Sequence, residues 1–256
     1  MSLNCQKHGV RLCEIQGGKF NKEVIYVSND ITNSNKIIKP FEKLKIDDGV
    51  FQQVINPKTQ RTIWYVVGPS GAGKSTYVRK LCNQWVKTFP NRPIYMFSSL
   101  EANSDESLAG VPIQYVKIGS NLLEHELEAK DFENSLVLMD DVDVVENKEL
   151  KTKLFSLLNQ FLEIGRHFNI SVVLTSHLST GPSLKKILNE AHFVVFFFNP
   201  TGGCKYMLEK YCGLTKQDLL RIKQTRSRWC CVQKTFPQTV ICEKQVFLLA
   251  DEDLAK

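Results

Sequence analysis

Residues 68–76 read Gly68-Pro69-Ser70-Gly71-Ala72-Gly73-Lys74-Ser75-Thr76, and this stretch restricts the fold more than any other. The pattern G-x-x-x-x-G-K-[ST] cradles phosphate with backbone N–H groups at a helix N-terminus, so it needs a strand before it and a helix after it. Both flanks are there. Thr62-Ile63-Trp64-Tyr65-Val66-Val67 is apolar, β-branched and aromatic, as a strand would be. Val78, Leu81, Cys82 and Trp85 then recur at helical spacing. Gly71 and Gly73 allow the tight turn between the two. Lys74 can reach the β- and γ-phosphates of a nucleotide, and the Ser75 hydroxyl can sit on Mg²⁺. Gly68 through Thr76 are therefore the expected nucleotide-binding residues.

A second constellation lies downstream. Leu136-Val137-Leu138-Met139-Asp140-Asp141 is an apolar run ending in two carboxylates. In an open α/β sheet, acids leaving the C-terminal end of a buried strand arrive beside the phosphate loop. Asp140 is expected to hold the Mg²⁺ shell, and Asp141 to orient or deprotonate a water. A kinase or simple switch needs only the first acid, whereas the pair suits an ATP-hydrolysing motor with a strand inserted between the loop strand and the acid strand. The following strand ends Val173-Leu174-Thr175-Ser176-His177, where Thr175 and His177 share a face. Either can contact the γ-phosphate or the attacking water. A polar strand exit that caps the next loop is the plainer alternative for His177.

From Ile63 onward strands and helices alternate. Pro93–Ser98, Leu136–Met139, Ile170–Thr175 and Phe193–Phe198 read as core strands, and Val111–Val116 as a short edge strand. Lys148–His167 carries its apolar residues along one helical stripe. A helix over residues 214–223 and a hairpin around Phe236-Pro237-Gln238 close the chain. Near-continuous apolar strands between helices indicate a mainly parallel sheet covered on both faces. The expected fold is thus α/β, a three-layer P-loop NTPase of RecA-like type with a C-terminal β-hairpin. Residues 61–256 form the ATPase domain, and residues 1–60 are expected to be an extension packing on it. Val24–Val27 reads as a strand and Asn29–Lys39 as a loop.

Composition narrows the setting. A hydrophobic fraction of 43% supports a real core. The net charge of +6 permits a polyanionic partner without requiring one. No C-x-x-C pair, secretory leader or apolar run of membrane-spanning length is present, so reduced thiols, a cytoplasmic setting and no membrane partner are expected. Cys5, His8 and Cys13 cluster without a fourth ligand at zinc spacing.

The remaining candidates are basic or misleading. Arg166 follows the long helix, where a cation complements the helix C-terminus. It could equally be an arginine finger reaching a neighbouring subunit's nucleotide, with Arg226 and Arg228 as rivals. Thr215-Lys216-Gln217-Asp218 fits a loose guanine-reading pattern, but no D-x-x-G switch accompanies it. Thr215 as a helix N-cap with Asp218 in the first turn is the better reading. No L-S-G-G-Q signature is present.

With these elements placed, the chain resembles the poxvirus-type DNA-packaging ATPases of large DNA viruses and their relatives, within the FtsK–HerA superfamily of DNA-pumping motors. The resemblance rests on Gly68–Thr76, the strand ending Asp140-Asp141, Gly165-Arg166-His167 leading into the next strand, and the C-terminal hairpin. It spans about residues 63–249. Many relatives end the post-acid strand with Thr-Gln, where Thr175-Ser176-His177 stands here. The resemblance implies a ring, a hexamer or pentamer, that hydrolyses ATP with Mg²⁺ at subunit interfaces. It also implies sequence-independent movement of double-stranded DNA into a capsid. The alternatives are a nucleotide or small-molecule kinase on the same fold, and a slow nucleotide-dependent switch or scaffold.

Overall fold

Strands buried on both faces must alternate their side chains between two separate cores, and the loop strand does so. Ile63, Tyr65 and Val67 enter one hydrophobic cluster and Trp64 and Val66 the other. The computed structural model describes residues 2–28, 42–101, 105–177, 180–197 and 202–249. Phe198, the whole Asn29–Lys39 stretch and the residues after Leu249 lie outside that set.

In chain order the strands and helices begin with β1 (Ser2–Asn4), β2 (Val10–Gln16), β3 (Val24–Ser28), β4 (Lys43–Lys45) and β5 (Val50–Gln53). Then follow β6 (Ile63–Val67), α1 (Lys74–Thr88), β7 (Ile94–Ser98), β8 (Ile113–Lys117), α2 (Asn121–Glu124) and β9 (Leu136–Met139). After these come α3 (Lys148–Glu163), β10 (Ser171–Ser176), α4 (Lys185–Glu190), β11 (Phe193–Phe197), α5 (Gly202–Cys212) and α6 (Lys216–Gln224). The chain closes with β12 (Trp229–Gln233), β13 (Thr239–Cys242) and β14 (Gln245–Leu248).

The main sheet runs β4-β14-β13-β12-β11-β6-β10-β9-β7-β8. From β11 to β8 all neighbours are parallel, and from β11 to β4 all are antiparallel. The expected three-layer, mainly parallel P-loop architecture is therefore present. β10 is inserted between β6 and β9, so the phosphate loop and the acid strand flank it. β8 takes the edge, as its sequence suggested.

One face of the sheet is covered by α3 to α6, through Leu154, Phe161, Leu188, Met207 and Ile222. The other face is covered by α1 and by a second, antiparallel sheet of order β1-β3-β2-β5. Tyr77, Val78, Leu81, Cys82 and Trp85 of α1 are buried, the stripe that its spacing predicted. The first sixty residues build that second sheet and also lend β4 to the main one. Gln53 fastens the two sheets together. Its Oε1 accepts from Trp64 Nε1 (3.0 Å), Tyr77 Oη (3.2 Å) and Cys231 Sγ (3.5 Å), all in the buried core.

Two boundaries differ from the sequence reading. α3 ends at Glu163, short of His167. A Cβ at Gly165 would lie 2.2 Å from Phe161 O, so the chain turns in there as only glycine can. Arg61 then donates to the free carbonyls of Phe161 (2.6 Å) and Leu162 (2.9 Å). The C-terminal hairpin is a three-stranded meander. Glu243 leaves the ladder at a second turn because its carboxylate accepts from Arg228 N (2.8 Å) and Arg228 Nε (2.8 Å). Thr215 is the expected N-cap of α6, with Asp218 N donating to Thr215 Oγ1 at 3.2 Å, and the Asp218 carboxylate accepts in return from Thr215 N at 2.8 Å to complete a capping box. No helix among the described residues is long and apolar enough to cross a membrane.

Candidate active site

The turn from β6 into α1 gathers the loop residues. Gly68 passes so close to β11 that a Cβ would sit 2.7 Å from Phe197 Cβ. Gly73, at φ 105°, is the N-cap of α1. α1 has no acidic residue in its first turn, so its N-terminus offers free N–H groups and an unopposed positive dipole. A cleft is lined by Pro69, Ser70, Gly71, Gly73, Lys74, Ser75 and Thr76 on one side. Asp105, Asp140, Asp141 and His177 line the other. Gly68 and Ala72 complete the loop behind that lining.

Lys74 is only 9% exposed, and its ammonium lies back on the loop, donating to Gly68 O (2.9 Å) and Pro69 O (3.4 Å). It also meets His177 Nδ1 at 3.3 Å. An ammonium can only donate, so Nδ1 accepts and the ring proton falls on Nε2. His177 Nε2 in turn lies 2.8 Å from Asp141 Oδ2. Lys74, His177 and Asp141 thus form one chain across the cleft. Asp141 holds a left-handed backbone, φ 47°, uncommon for a residue other than glycine. That turn of the chain aims its carboxylate at His177 instead of continuing β9.

Asp140 stands just behind. Ser98 Oγ donates to its Oδ2 (3.1 Å) and Thr175 Oγ1 to its Oδ1 (2.7 Å). Burial pushes the Asp140 carboxyl above its usual range and the charge of Asp141 adds to this, while the Thr175 and Ser98 bonds pull it back. Thr175 also accepts from Asp141 N at 3.1 Å, so one hydroxyl ties both acids to β10. Thr175 is 5% exposed and faces the acids, whereas His177 faces the cleft.

Sequence reasoning missed two residues. Asp105 lies in the loop after β7, where its carboxylate takes hydrogen bonds from Ser107 and Ser75. Burial works to raise it, but these bonds hold it below its ordinary value. No periodicity marks such a loop acid. Ser98 was legible in principle, as a polar residue ending an apolar strand next to the acid strand.

The residues present fit a magnesium nucleotide. Among the described residues no group of three or more His, Cys, Asp or Glu could cage a metal alone. Mg²⁺ is commonly held by one or two protein groups with phosphate and water completing the shell. Ser75 from the loop and Asp140 and Asp105 from across it all line this cleft.

Arg166 is not in this cleft. α3 starts beside Asp143, whose carbonyl accepts from Lys151, and runs away from the site for 16 residues. Arg166, exposed beyond its far end and near Arg61, is therefore at the opposite end of the central strands from the phosphate loop, about 24 Å along the helix. Arg226 is exposed, and Arg228 is engaged with Glu243, Nη2 to Oε1 at 2.7 Å.

A family model described as "ATPase family associated with various cellular activities (AAA)" matches residues 64–193. "Uncharacterized protein V3" of Sputnik virophage is 33% identical over 245 residues, 94% of this chain and 96% of that protein. Among solved structures, the genome packaging NTPase B204 from Sulfolobus turreted icosahedral virus 2, in complex with sulfate, superposes with a TM-score of 0.50. That match has 13% identity and covers 73% of this chain and 97% of B204. The cytoplasmic domain of the Type VII secretion ATPase EccC from Thermomonospora curvata gives 0.52 at 12% identity, over 83% of this chain and 29% of that one. These two likenesses show the fold. All of β6 but Ile63, the phosphate loop, β9 with its acids, and β10 with His177 just after it fall inside the matched residues, and the chain belongs to the AAA family of P-loop ATPases.

Proposed function

We propose that this ATPase is a motor that moves double-stranded DNA, packaging a viral genome into a capsid as a homo-oligomeric ring. The observation that carries the hydrolytic half is the Asp141–His177–Lys74 chain across the cleft, 2.8 and 3.3 Å at its two links. A transferase must exclude water and seat an acceptor, whereas a carboxylate opposite the loop lysine is placed to take a proton from water. Support for the DNA half comes from B204, a genome packaging NTPase with the same fold.

In this reading Gly68–Thr76 hold ATP and Lys74 leaves Gly68 O for the β- and γ-phosphates. Ser75 and Asp140 would hold Mg²⁺, which neutralises phosphate charge when bound. Asp141 orients the attacking water and receives its proton. Thr175 positions both acids. His177 loses its Lys74 contact when Lys74 turns to phosphate, so it reports on the γ-phosphate. Arg166, remote from its own cleft, acts on the nucleotide of an adjacent copy. Residues 1–60 pack on the ATPase domain as an extension. DNA contact is sequence-independent, through phosphates.

ATP turnover with and without long double-stranded DNA tests this. DNA stimulation is the expected result. Phosphate transfer to a small acceptor, indifferent to DNA, would make the chain a kinase. ATP binding without turnover would make it a switch.

A further inference from the structure

A second cavity of about 180 Å³ lies on the other side of the phosphate loop from the acids. Gly73 and Thr76 line both spaces, so a molecule held by its phosphates in the first can extend into the second. Its walls come from three parts of the chain. α1 gives Tyr77 and Lys80, the main sheet gives Phe197 and Trp229, and the small N-terminal sheet gives Val50 and Gln52. The rim is Arg228 with Glu243. The Arg228 side chain is 83% exposed and Gln52 is 0% exposed, so the cavity runs from a wet rim to a buried inner wall.

Gln52 is the telling residue. Both amide atoms, Oε1 and Nε2, are buried with no hydrogen-bond partner. A buried polar group left unpaired is costly, and nearly all such groups find a partner in the working molecule. Its neighbour Gln53 differs in that its oxygen takes three donors and only its Nε2 is unpaired, whereas in Gln52 both ends of the amide are. A primary amide presents one donor edge and one acceptor edge side by side. That matches the amino group and ring nitrogen of adenine, the pairing by which Gln reads that base. The aromatic walls suit a flat ring. Tyr77 meets Trp229 edge-on at 4.9 Å and Phe197 at 6.4 Å, leaving ring faces and edges along the cavity.

We propose that this cavity seats the purine base of the bound nucleotide, with Gln52 of the N-terminal sheet pairing its amino edge and the Arg228–Glu243 pair closing the rim. The inference rests on the ATPase reading of the phosphate loop. It makes the first sixty residues part of the substrate site, through a wall that the phosphate loop does not supply. Arg228 then serves the chain's own nucleotide, which removes it as a rival to Arg166.

Calorimetric titration with ATP, CTP and inorganic tripolyphosphate tests the proposal without reference to turnover. Wild type should bind ATP more tightly than CTP or tripolyphosphate. Gln52→Leu should weaken ATP about tenfold, the worth of a buried hydrogen bond or two, and leave tripolyphosphate unchanged. Val50→Trp, which fills the cavity and keeps Gln52 in the chain, should do the same and serves if Gln52→Leu does not fold. ATP affinity unchanged in a folded Gln52→Leu or in Val50→Trp overturns the base site and leaves the phosphate site standing. Equal wild-type affinity for ATP and tripolyphosphate overturns it too. Failure of wild type to bind either ligand would overturn the ATPase reading together with this one.

Discussion

Gln53→Leu should uncouple the small sheet from the ATPase core by a calculable amount. Leucine has a similar volume but accepts nothing, so Trp64 Nε1 and Tyr77 Oη lose their acceptor. Trp64 and Tyr77 are 1% and 3% exposed, and water cannot replace it. Each orphaned donor costs about 1–3 kcal/mol. Against this, Gln53 Nε2 is itself buried without a partner, and removing it returns about 1–3 kcal/mol. The Cys231 thiol is a weak donor and adds little. One orphan cancels, and the net loss is about 1–3 kcal/mol. In a Tyr77→Phe background only Trp64 is orphaned, so the same substitution should cost about 1–3 kcal/mol less. Urea denaturation of the four proteins of this cycle measures the difference, with an unchanged slope showing that the unfolding is comparable. A coupling below about 0.3 kcal/mol would show that the shared acceptor does not hold the sheets together.

Other outcomes follow from the site. Asp141→Asn should keep ATP binding and lower turnover by about 10²–10⁴-fold, the worth of a general base; retained turnover removes Asp141 from its role. Thr175→Val should cost about 10–100-fold in turnover while Thr175→Ser recovers most of it, because the hydroxyl orients both acids; equal activities would refute the tether. Arg166→Ala should spare ATP binding and stop turnover, and mixing it with Asp141→Asn subunits should restore part of the rate; no recovery on mixing refutes action in trans. His192 Nδ1 accepts from Ile63 N at 2.9 Å, and burial, with Arg61 and Lys234 nearby, holds its pKa below the ordinary value. That stabilisation is complete above about pH 6.5 and is lost as the pH falls through the folded value. The melting temperature should therefore drop on acidification, and His192→Asn, which accepts without titrating, should flatten the slope; an unchanged slope refutes the assignment.

The parallel half of the sheet was legible because each strand is buried on both faces and reads as an unbroken apolar run. Ile63–Val67 and Leu136–Met139 are examples. The phosphate loop and acid pair were legible because their chemistry fixes both residue types and spacing. Of the N-terminal sheet only β3 was, at Val24–Val27. β1 spans 3 residues and β5 only 4, and the key positions of the sheet are Gln52 and Gln53, which carry no strand signal. α5 was missed because Gly202 and Gly203 open it and weaken the helical pattern. Asp105 joins the site only through folding that no local pattern records, whereas Ser98 ends a legible strand and needed only the sheet order to be placed beside Asp140. Thr175 and His177 were correctly singled out together, but their division of labour needed the geometry.

The outermost described strands of the main sheet are β4 and β8. β4 reads Lys43-Leu44-Lys45 with both lysines exposed, and β8 ends on exposed Lys117 with exposed Gln114 before it. A chain pairing along either border would have to strip water from those ammonium groups, the device by which open sheet edges resist intruders. The main sheet therefore resists being lengthened by another chain at both of these borders, and its ladder of backbone bonds stays within one molecule.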